Sequence, residues 1–138
     1  MIFQESTCID LLFDLYKLAE ISFWFSGVSI MEGLQLNRPL VFLDLETTGV
    51  YISKDKIIEI SVIKFNPDGS EVEKTVRVNP GMPIPSSATA IHGITDEDVA
   101  DEPPFHRYAK SFLDFITECD IGGFNVVKFD VPLLQEEF

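Results

Sequence analysis

Apolar segments and turn signals alternate from residue 39 to the end of the chain, and their spacing predicts the elements of one small domain. Residues 39–45 are almost entirely apolar, which is typical of a buried strand, and residues 56–65 are rich in β-branched side chains. Residues 71–78 alternate polar with apolar positions, which predicts a half-exposed strand at a sheet edge. The Asn-Pro-Asp-Gly turn at 66–69 joins the last two strands into a hairpin.

The second half of the domain mixes helix and strand signals. In order, the pattern predicts a loop over 79–88, a helix start at Thr95–Asp98, a helix over 105–119, a short buried strand over 120–125 and the opening of a helix over 131–138. A hairpin followed by helix, strand and helix is a mixed layout. The predicted fold class is therefore α/β, with helices flanking a mixed sheet.

The first thirty residues differ from the rest in composition and are predicted to form an N-terminal extension. Residues 9–25 are densely apolar. On a helix, their charged residues would fall along one narrow polar stripe: Asp10, Asp14, Lys17 and Glu20. These charges argue against a membrane span, which needs roughly 20 apolar residues. No Lys or Arg precedes the apolar stretch, which argues against a signal peptide.

Two interpretations of residues 1–30 stay open. The segment is either a helix that docks on the domain or on a partner, or an apolar extension outside the natural fold. The sequence Met31-Glu32-Gly33, just before the first strand, resembles the beginning of a coding sequence and favours the second interpretation. The helical spacing of residues 9–25 favours the first. The predicted domain runs over 31–138.

Size and charge narrow the classes of function. A chain of 138 residues is long enough for one domain with a real core. The net charge of −13 argues against nucleic-acid binding through a broad basic surface. It does not exclude a nuclease that grips a few nucleotides through divalent cations. Cys8 and Cys119 have no metal-ligand spacing and suggest no disulfide framework, which favours a reducing compartment, the cytoplasm.

Two carboxylates, Asp44 and Glu46, stand two positions apart at the end of the first strand. Residues i and i+2 of a strand point to the same face, so both acids project together while Leu43 and Leu45 face the other way. Neighbouring acids on a buried strand repel each other and lose hydration. One interpretation is a strand end whose acids reach solvent. The other is a site for Mg²⁺ or Mn²⁺, since these hard cations prefer oxygen ligands.

A third carboxylate, Asp130, ends the sequence Gly-Phe-Asn-Val-Val-Lys-Phe-Asp at 123–130. It stands two residues before Pro132, so one interpretation is the N-cap of a helix. Metal binding is the other, and the two acids of the first strand favour it. Between these motifs, the segment Ala-Ile-His-Gly-Ile-Thr at 90–95 contains His92. A lone His beside Gly is usually a loop hydrogen bonder.

These motifs, in this order, resemble the DEDD-type 3′–5′ exonucleases, the proofreading ε-subunit type. The resemblance covers roughly residues 38–138 and implies the first two-thirds of a ribonuclease-H-like fold, C-terminally incomplete. It implies two Mg²⁺ or Mn²⁺ ions held by three catalytic carboxylates: Asp44 between both ions, Glu46 on one and Asp130 on the other. The residues implied to contact substrate are Asp44, Leu45, Glu46, Thr47, Thr48, Ile91, His92, Phe124, Asn125, Phe129 and Asp130.

Two departures from the family pattern bear on activity. Phe124 stands where many relatives have His. The chain ends at Phe138, before the family's third motif, whose His and Asp supply the general base and a further metal ligand. The chain alone is therefore expected to be weak or inactive.

The resemblance implies a domain that removes nucleotides from a nucleic-acid 3′ end by two-metal hydrolysis, in DNA proofreading or repair. Its implied partners are the 3′ end of single-stranded DNA or RNA and a polymerase subunit, with no membrane. The sequence does not choose between DNA and RNA. The alternative is a non-catalytic module of the same fold that binds nucleic acid or protein.

Overall fold

The computed structural model describes residues 35–138, which form a four-stranded sheet with helices around it. The elements follow in chain order: β1 Leu40–Thr47, β2 Ile57–Phe65, β3 Glu71–Arg77, α1 Ser86–His92, α2 Asp96–Val99, a 3₁₀ turn Phe105–Arg107, α3 Ala109–Ile116, β4 Asp120–Gly122 and α4 Asp130–Glu137. The predicted N-terminal segment, residues 1–30, lies outside the described residues. Among the described residues, no helix combines the length and apolar character needed to cross a membrane.

The sheet has the strand order β3-β2-β1-β4, so the alternating hairpin strand lies at an edge as predicted. β1 pairs antiparallel with β2, and β2 pairs antiparallel with β3. β4 runs parallel to β1, which places the carboxyl ends of these two strands at the same edge. The predicted class, a mixed α/β sheet with flanking helices, is confirmed.

One face of the sheet carries the main core. Leu43 and Leu45 of β1 are buried there with Ile60 of β2, and Phe112 of α3 packs against them. Asp44 is exposed and Glu46 is half-buried, so the two acids lie on the opposite face from their leucine neighbours. The period-2 alternation of the sequence therefore predicts the direction of both acids correctly.

The region around α1 differs from the prediction. The loop predicted over 79–88 ends three residues early, because α1 begins at Ser86 and runs through His92. The helix is too short to show a helical period, and Ala88 is its one buried residue. Gly93 ends it in the left-handed conformation (φ 79°), where its N–H bonds to the Thr89 carbonyl.

Two further elements, a strand and a helix, are shorter than predicted. The strand predicted over 120–125 ends at Gly122, because Asn125 adopts a left-handed conformation (φ 54°) that no strand continues. The helix predicted over 105–119 is a 3₁₀ turn followed by α3, which stops at Ile116. Glu118 also has a positive φ (59°), which turns the chain from α3 into β4.

Candidate active site

The end of β1 presents two of the three predicted carboxylates on one face. Glu46 lies opposite Glu59 of β2, and Asp44 lies opposite Ser61. Burial raises the pKa of Glu46, and the charges of Asp44 and Glu59 raise it further. Like charges placed directly opposite each other destabilise a sheet. Arg77 offsets part of this repulsion, because its Nε lies 3.2 Å from the Glu59 carboxylate.

Asp130, the first residue of α4, is buried with 4% of its surface exposed. Burial is the main reason that its pKa is raised to about 7, and the charges of Asp44 and Glu46 add to the rise. Hydrogen bonds from the backbone N–H groups of Asp130 itself and of Leu45 oppose it. The three carboxylates thus share one electrostatic environment. The N-cap interpretation of Asp130 is wrong, because Phe129 occupies the N-cap position.

The donor set suits a hard divalent cation. Within residues 35–138, no three His, Cys, Asp or Glu side chains are already gathered as a closed metal site. Even so, burial and, after it, the charges of neighbouring acids raise the pKa of both Glu46 and Asp130. A bound dication reverses such repulsion and favours the ionised acids. Asp44, Glu46 and Asp130 therefore fit Mg²⁺ or Mn²⁺ by their chemistry.

The two threonines after Glu46 use their hydroxyls within the loop that follows β1. The Thr47 hydroxyl donates to the Gly49 carbonyl at 2.7 Å. The Thr48 hydroxyl donates to Asp55 at 3.0 Å and accepts from the Lys56 N–H at 2.9 Å. Both threonines are buried. Any contact of theirs with a substrate would have to come from the main chain.

Asp55 organises this loop and escaped the sequence analysis. Besides the Thr48 hydroxyl, its carboxylate accepts the Tyr51 N–H at 2.7 Å. The same carboxylate packs so closely on Gly49 that an added Cβ would lie 2.6 Å from it. Nothing in the sequence separates this acid from the other loop acids, because its partners lie four to seven residues away.

Replacing Gly49 with Ala is therefore expected to lower the melting temperature and disturb the end of β1, because the new methyl group collides with the Asp55 carboxylate. We expect a loss of roughly 1–3 kcal/mol, the range for overpacking. Thermal melting of G49A measures this loss of stability. The double variant G49A/D55A should recover part of the loss, since it removes the colliding group. Equal stability of G49A and the unmodified chain would contradict the contact.

The segment between β4 and α4 is folded tightly against β1. A Cβ on Gly123 would overlap the backbone carbonyl of Leu43, so only glycine allows this approach. The Asn125 carbonyl accepts the N–H groups of Lys128 and Phe129 at 2.9 and 3.0 Å. This turn brings Asp130 to the end of β1.

The predicted substrate-contacting side chains differ in exposure. Ile91 and Phe124 are 86% and 63% exposed. Asn125 is also exposed, whereas Phe129 is half-buried against the main core. Ile91 and Phe124 are therefore the apolar side chains of this set that are open to a ligand.

His92 is held in one orientation at the end of α1. Its Nδ1 accepts the Ile94 N–H at 3.0 Å, so the ring proton lies on Nε2. Nε2 is buried and has no hydrogen-bond partner among residues 35–138. A buried donor without an acceptor costs free energy, and the His92 side chain must shift before its Nε2–H can reach an acceptor outside the domain.

Solved structures define the class of fold. The crystal structure of E. coli Exonuclease I in complex with a dT13 oligonucleotide superposes with a TM-score of 0.66 at 20% identity, over 74% of this chain and 24% of that one. A zinc-bound form of the E. coli ExoI–ssDNA complex matches equally well, over 75% of this chain and 24% of that one. At this identity the likeness shows the fold, which is the ribonuclease-H-like fold expected from the sequence resemblance.

The family follows from sequence. The family model RNase_T, described as Exonuclease, matches residues 41–138, and the chain belongs to this exonuclease family. The DNA polymerase III subunit epsilon of Haemophilus influenzae is 35% identical over 108 residues, which cover 74% of this chain and 41% of that protein. A PolC-type DNA polymerase III of Caldanaerobacter subterraneus is 31% identical over 114 residues, 80% of this chain and 8% of that protein. The chain spans less than half the length of these relatives.

Proposed function

We propose that this chain forms the carboxylate part of a 3′–5′ exonuclease site, which hydrolyses the last phosphodiester bond of a nucleic acid. The observation that carries the proposal is the shared environment of Asp44, Glu46 and the buried Asp130 in a chain of the exonuclease family. Burial and, after it, repulsion between the acids raise the pKa of Glu46 and of Asp130, which is the pattern typical of functional carboxylates.

The cations proposed for this site are two Mg²⁺ or Mn²⁺ ions held by Asp44, Glu46 and Asp130. When bound, such ions supply a charge clamp on the phosphate and a water of lowered pKa. The zinc-bound ExoI–ssDNA complex supports a cation site in this fold. The chain's own contribution is to keep three acids together at the end of β1, where one is buried and two are on the strand.

Substrate binding is proposed for the residues around these acids. The Nε2–H of His92 donates to an oxygen of the terminal nucleotide, and the exposed Ile91 and Phe124 side chains stack on its base. Main-chain groups of Leu45, Thr47 and Thr48 line the same strand end. Asn125 and Phe129 shape the turn that precedes Asp130 and lie beside the proposed nucleotide site.

The proposed substrate is the 3′ end of single-stranded DNA, in proofreading or repair beside a polymerase subunit in the cytoplasm. Two similar proteins support this choice: Exonuclease I, whose structure was solved in complex with dT13, and DNA polymerase III subunit epsilon. Stacking on apolar side chains is tolerant of sequence, which suits an enzyme that trims any 3′ end.

The test is Mn²⁺-dependent binding of dT oligonucleotides that end in a 3′-hydroxyl or a 3′-phosphate, followed by fluorescence anisotropy. We expect tighter binding of the hydroxyl form, lost with EDTA and in the D44N variant. A matched control is D101N, because Asp101 is an exposed acid outside the proposed ligand set. Binding that ignores both Mn²⁺ and D44N would favour the non-catalytic module instead.

His92→Asn is expected to weaken oligonucleotide binding about tenfold, the effect of losing one good hydrogen bond of about 1.4 kcal/mol. The Asn oxygen can still accept the Ile94 N–H in place of Nδ1, while the Nε2 donor disappears. Mn²⁺ affinity should stay unchanged, because His92 is not among the proposed ligands. His92→Gln, which restores a donor near Nε2, should bind better than His92→Asn. Equal binding by all three would remove His92 from the site.

A further inference from the structure

The ladder between β1 and β2 is irregular directly beside Glu46. Glu46 pairs with Glu59 while Thr47 pairs with Ile57, so Ile58 is an extra residue on β2. Such a bulge re-aims neighbouring side chains and disrupts the ladder hydrogen bonds. It also places Ile57 in the main core and Ile58 in a second cluster of buried residues. The bulge therefore fixes the strand end that carries the acids.

The carboxylate of Glu137, at the end of α4, accepts a hydrogen bond from the backbone of this bulge. The N–H of the fully buried Ile57 donates to Glu137 Oε1 at 3.2 Å. The second oxygen, Oε2, lies 3.6 Å from Lys56 Nζ. A buried N–H left without an acceptor costs about 1–3 kcal/mol. Glu137 thus provides the acceptor that the irregular ladder does not.

Glu137 and Asp130 lie on the same side of α4. They are the last and first residues of this eight-residue helix, two turns apart at about 3.6 residues per turn. Asp130 accepts the Leu45 N–H of β1, and Glu137 accepts the Ile57 N–H of β2. Leu133, between them, is fully buried. Two carboxylate attachments to two neighbouring strands fix both the rotation and the tilt of the helix.

We infer that Glu137 is a positioning residue for the carboxylate site. By holding the far end of α4 on the β1–β2 bulge, it keeps Asp130 facing Asp44 and Glu46. Glu137 itself belongs to neither the proposed ligand set nor the substrate contacts. The inference rests on the proposed function, because it concerns the same three acids. Outer groups that orient metal ligands commonly change metal affinity by about 10–100-fold.

The test compares Mn²⁺ affinity, measured by electron paramagnetic resonance of free Mn²⁺, between the chain and its Glu137 variants. E137A should bind Mn²⁺ about tenfold more weakly. E137Q should stay within about threefold of the unmodified chain, since its amide oxygen can still accept the Ile57 N–H. E136A is the matched control, because Glu136 is an exposed neighbour on the same helix and should have no effect.

A second control separates positioning from stability. Phe112→Leu reduces packing on α3 without touching α4 carboxylates, so it should lower the melting temperature while Mn²⁺ affinity stays unchanged. Equal Mn²⁺ affinity of E137A and the unmodified chain would overturn the inference and leave the proposed site intact. A loss in F112L as large as in E137A would also overturn it. Absence of Mn²⁺ binding by the unmodified chain would contradict the proposed function and the inference together.

Discussion

Asp130→Asn is expected to raise the melting temperature at about pH 8 in metal-free buffer and to abolish stabilisation by Mn²⁺. Without metal, the buried carboxylate of Asp130 must ionise beside Asp44 and Glu46, and its pKa is raised to about 7. The neutral amide avoids this cost, and its oxygen can still accept the Leu45 N–H. With Mn²⁺, the unmodified chain gains a ligand that the variant lacks. Melting curves with and without Mn²⁺ measure both effects.

The metal-free stability of the unmodified chain should depend on pH, and the raised pKa of Asp130 fixes the sign of this dependence. Because the pKa of Asp130 is about 7 in the folded chain and near 3.8 in the unfolded one, the folded state holds the extra proton between these values. The stabilisation of the folded chain by protonated Asp130 is fully present below about pH 4 and is lost as the pH rises through 7. The full difference is at most about 4 kcal/mol, less where water screens the carboxylate. The burial-raised pKa of Glu46 acts in the same direction.

The variant D130N should therefore lose most of this dependence. Metal-free stability of the unmodified chain should fall from about pH 4 to pH 7.5, while that of D130N falls much less, because only the raised pKa of Glu46 still contributes. D101N, which changes an exposed acid, should keep the slope of the unmodified chain. A D130N variant that is less stable than the unmodified chain at about pH 8 would contradict the buried, repelled state of this acid.

Gly123→Ala is expected to cost at least about 2–3 kcal/mol and to weaken Mn²⁺ binding. The new methyl group would overlap the Leu43 carbonyl, which is backbone and cannot rotate away. Either β1 or the turn before α4 must shift, and both shifts separate Asp130 from Asp44. Denaturant unfolding measures the stability, and Mn²⁺ titration of the folded variant measures the site.

Gly81→Ala is the matched control for this glycine. Gly81 also has a positive φ, 68°, but a Cβ there would meet nothing within 4 Å. The G81A variant should be less stable by only about 1 kcal/mol, the cost of backbone strain, and should retain its Mn²⁺ affinity. Equal stability and equal Mn²⁺ affinity of G123A and G81A would contradict this account. The close approach of Gly123 to β1 would then not be what holds Asp130 beside Asp44.

The features predicted from sequence are those set by local periodicity. The alternation along residues 43–46 gives the direction of Asp44 and Glu46, because a strand has only two faces. The edge position of β3 follows from its polar pattern. Its exposure is greater than the predicted half, because its first five residues are exposed on both faces. These predictions need no knowledge of what the strand touches, and the fold confirms them.

The features that escaped prediction depend on particular side-chain contacts that local periodicity does not encode. Asp55 acts through Gly49 and Thr48, and Glu137 reaches an N–H that lies 80 residues away. The short helix α1 owes its position to one buried residue and a glycine end, too little for a helical period. The burial that raises the pKa of Asp130 likewise comes from packing against β1. The sequence around Asp130 alone therefore favours an N-cap, and only the two acids of the first strand favour metal binding.

The most direct measurement of the central claim is the location of Mn²⁺ by paramagnetic broadening of backbone amide signals. At low Mn²⁺ concentration, we expect the amides of Leu45, Glu46 and Val131 to broaden first, since they adjoin all three carboxylates. The acidic stretch at 96–98 should stay sharp until much higher concentration. Early broadening there, with sharp signals at Leu45 and Val131, would contradict a divalent-cation site built from Asp44, Glu46 and Asp130.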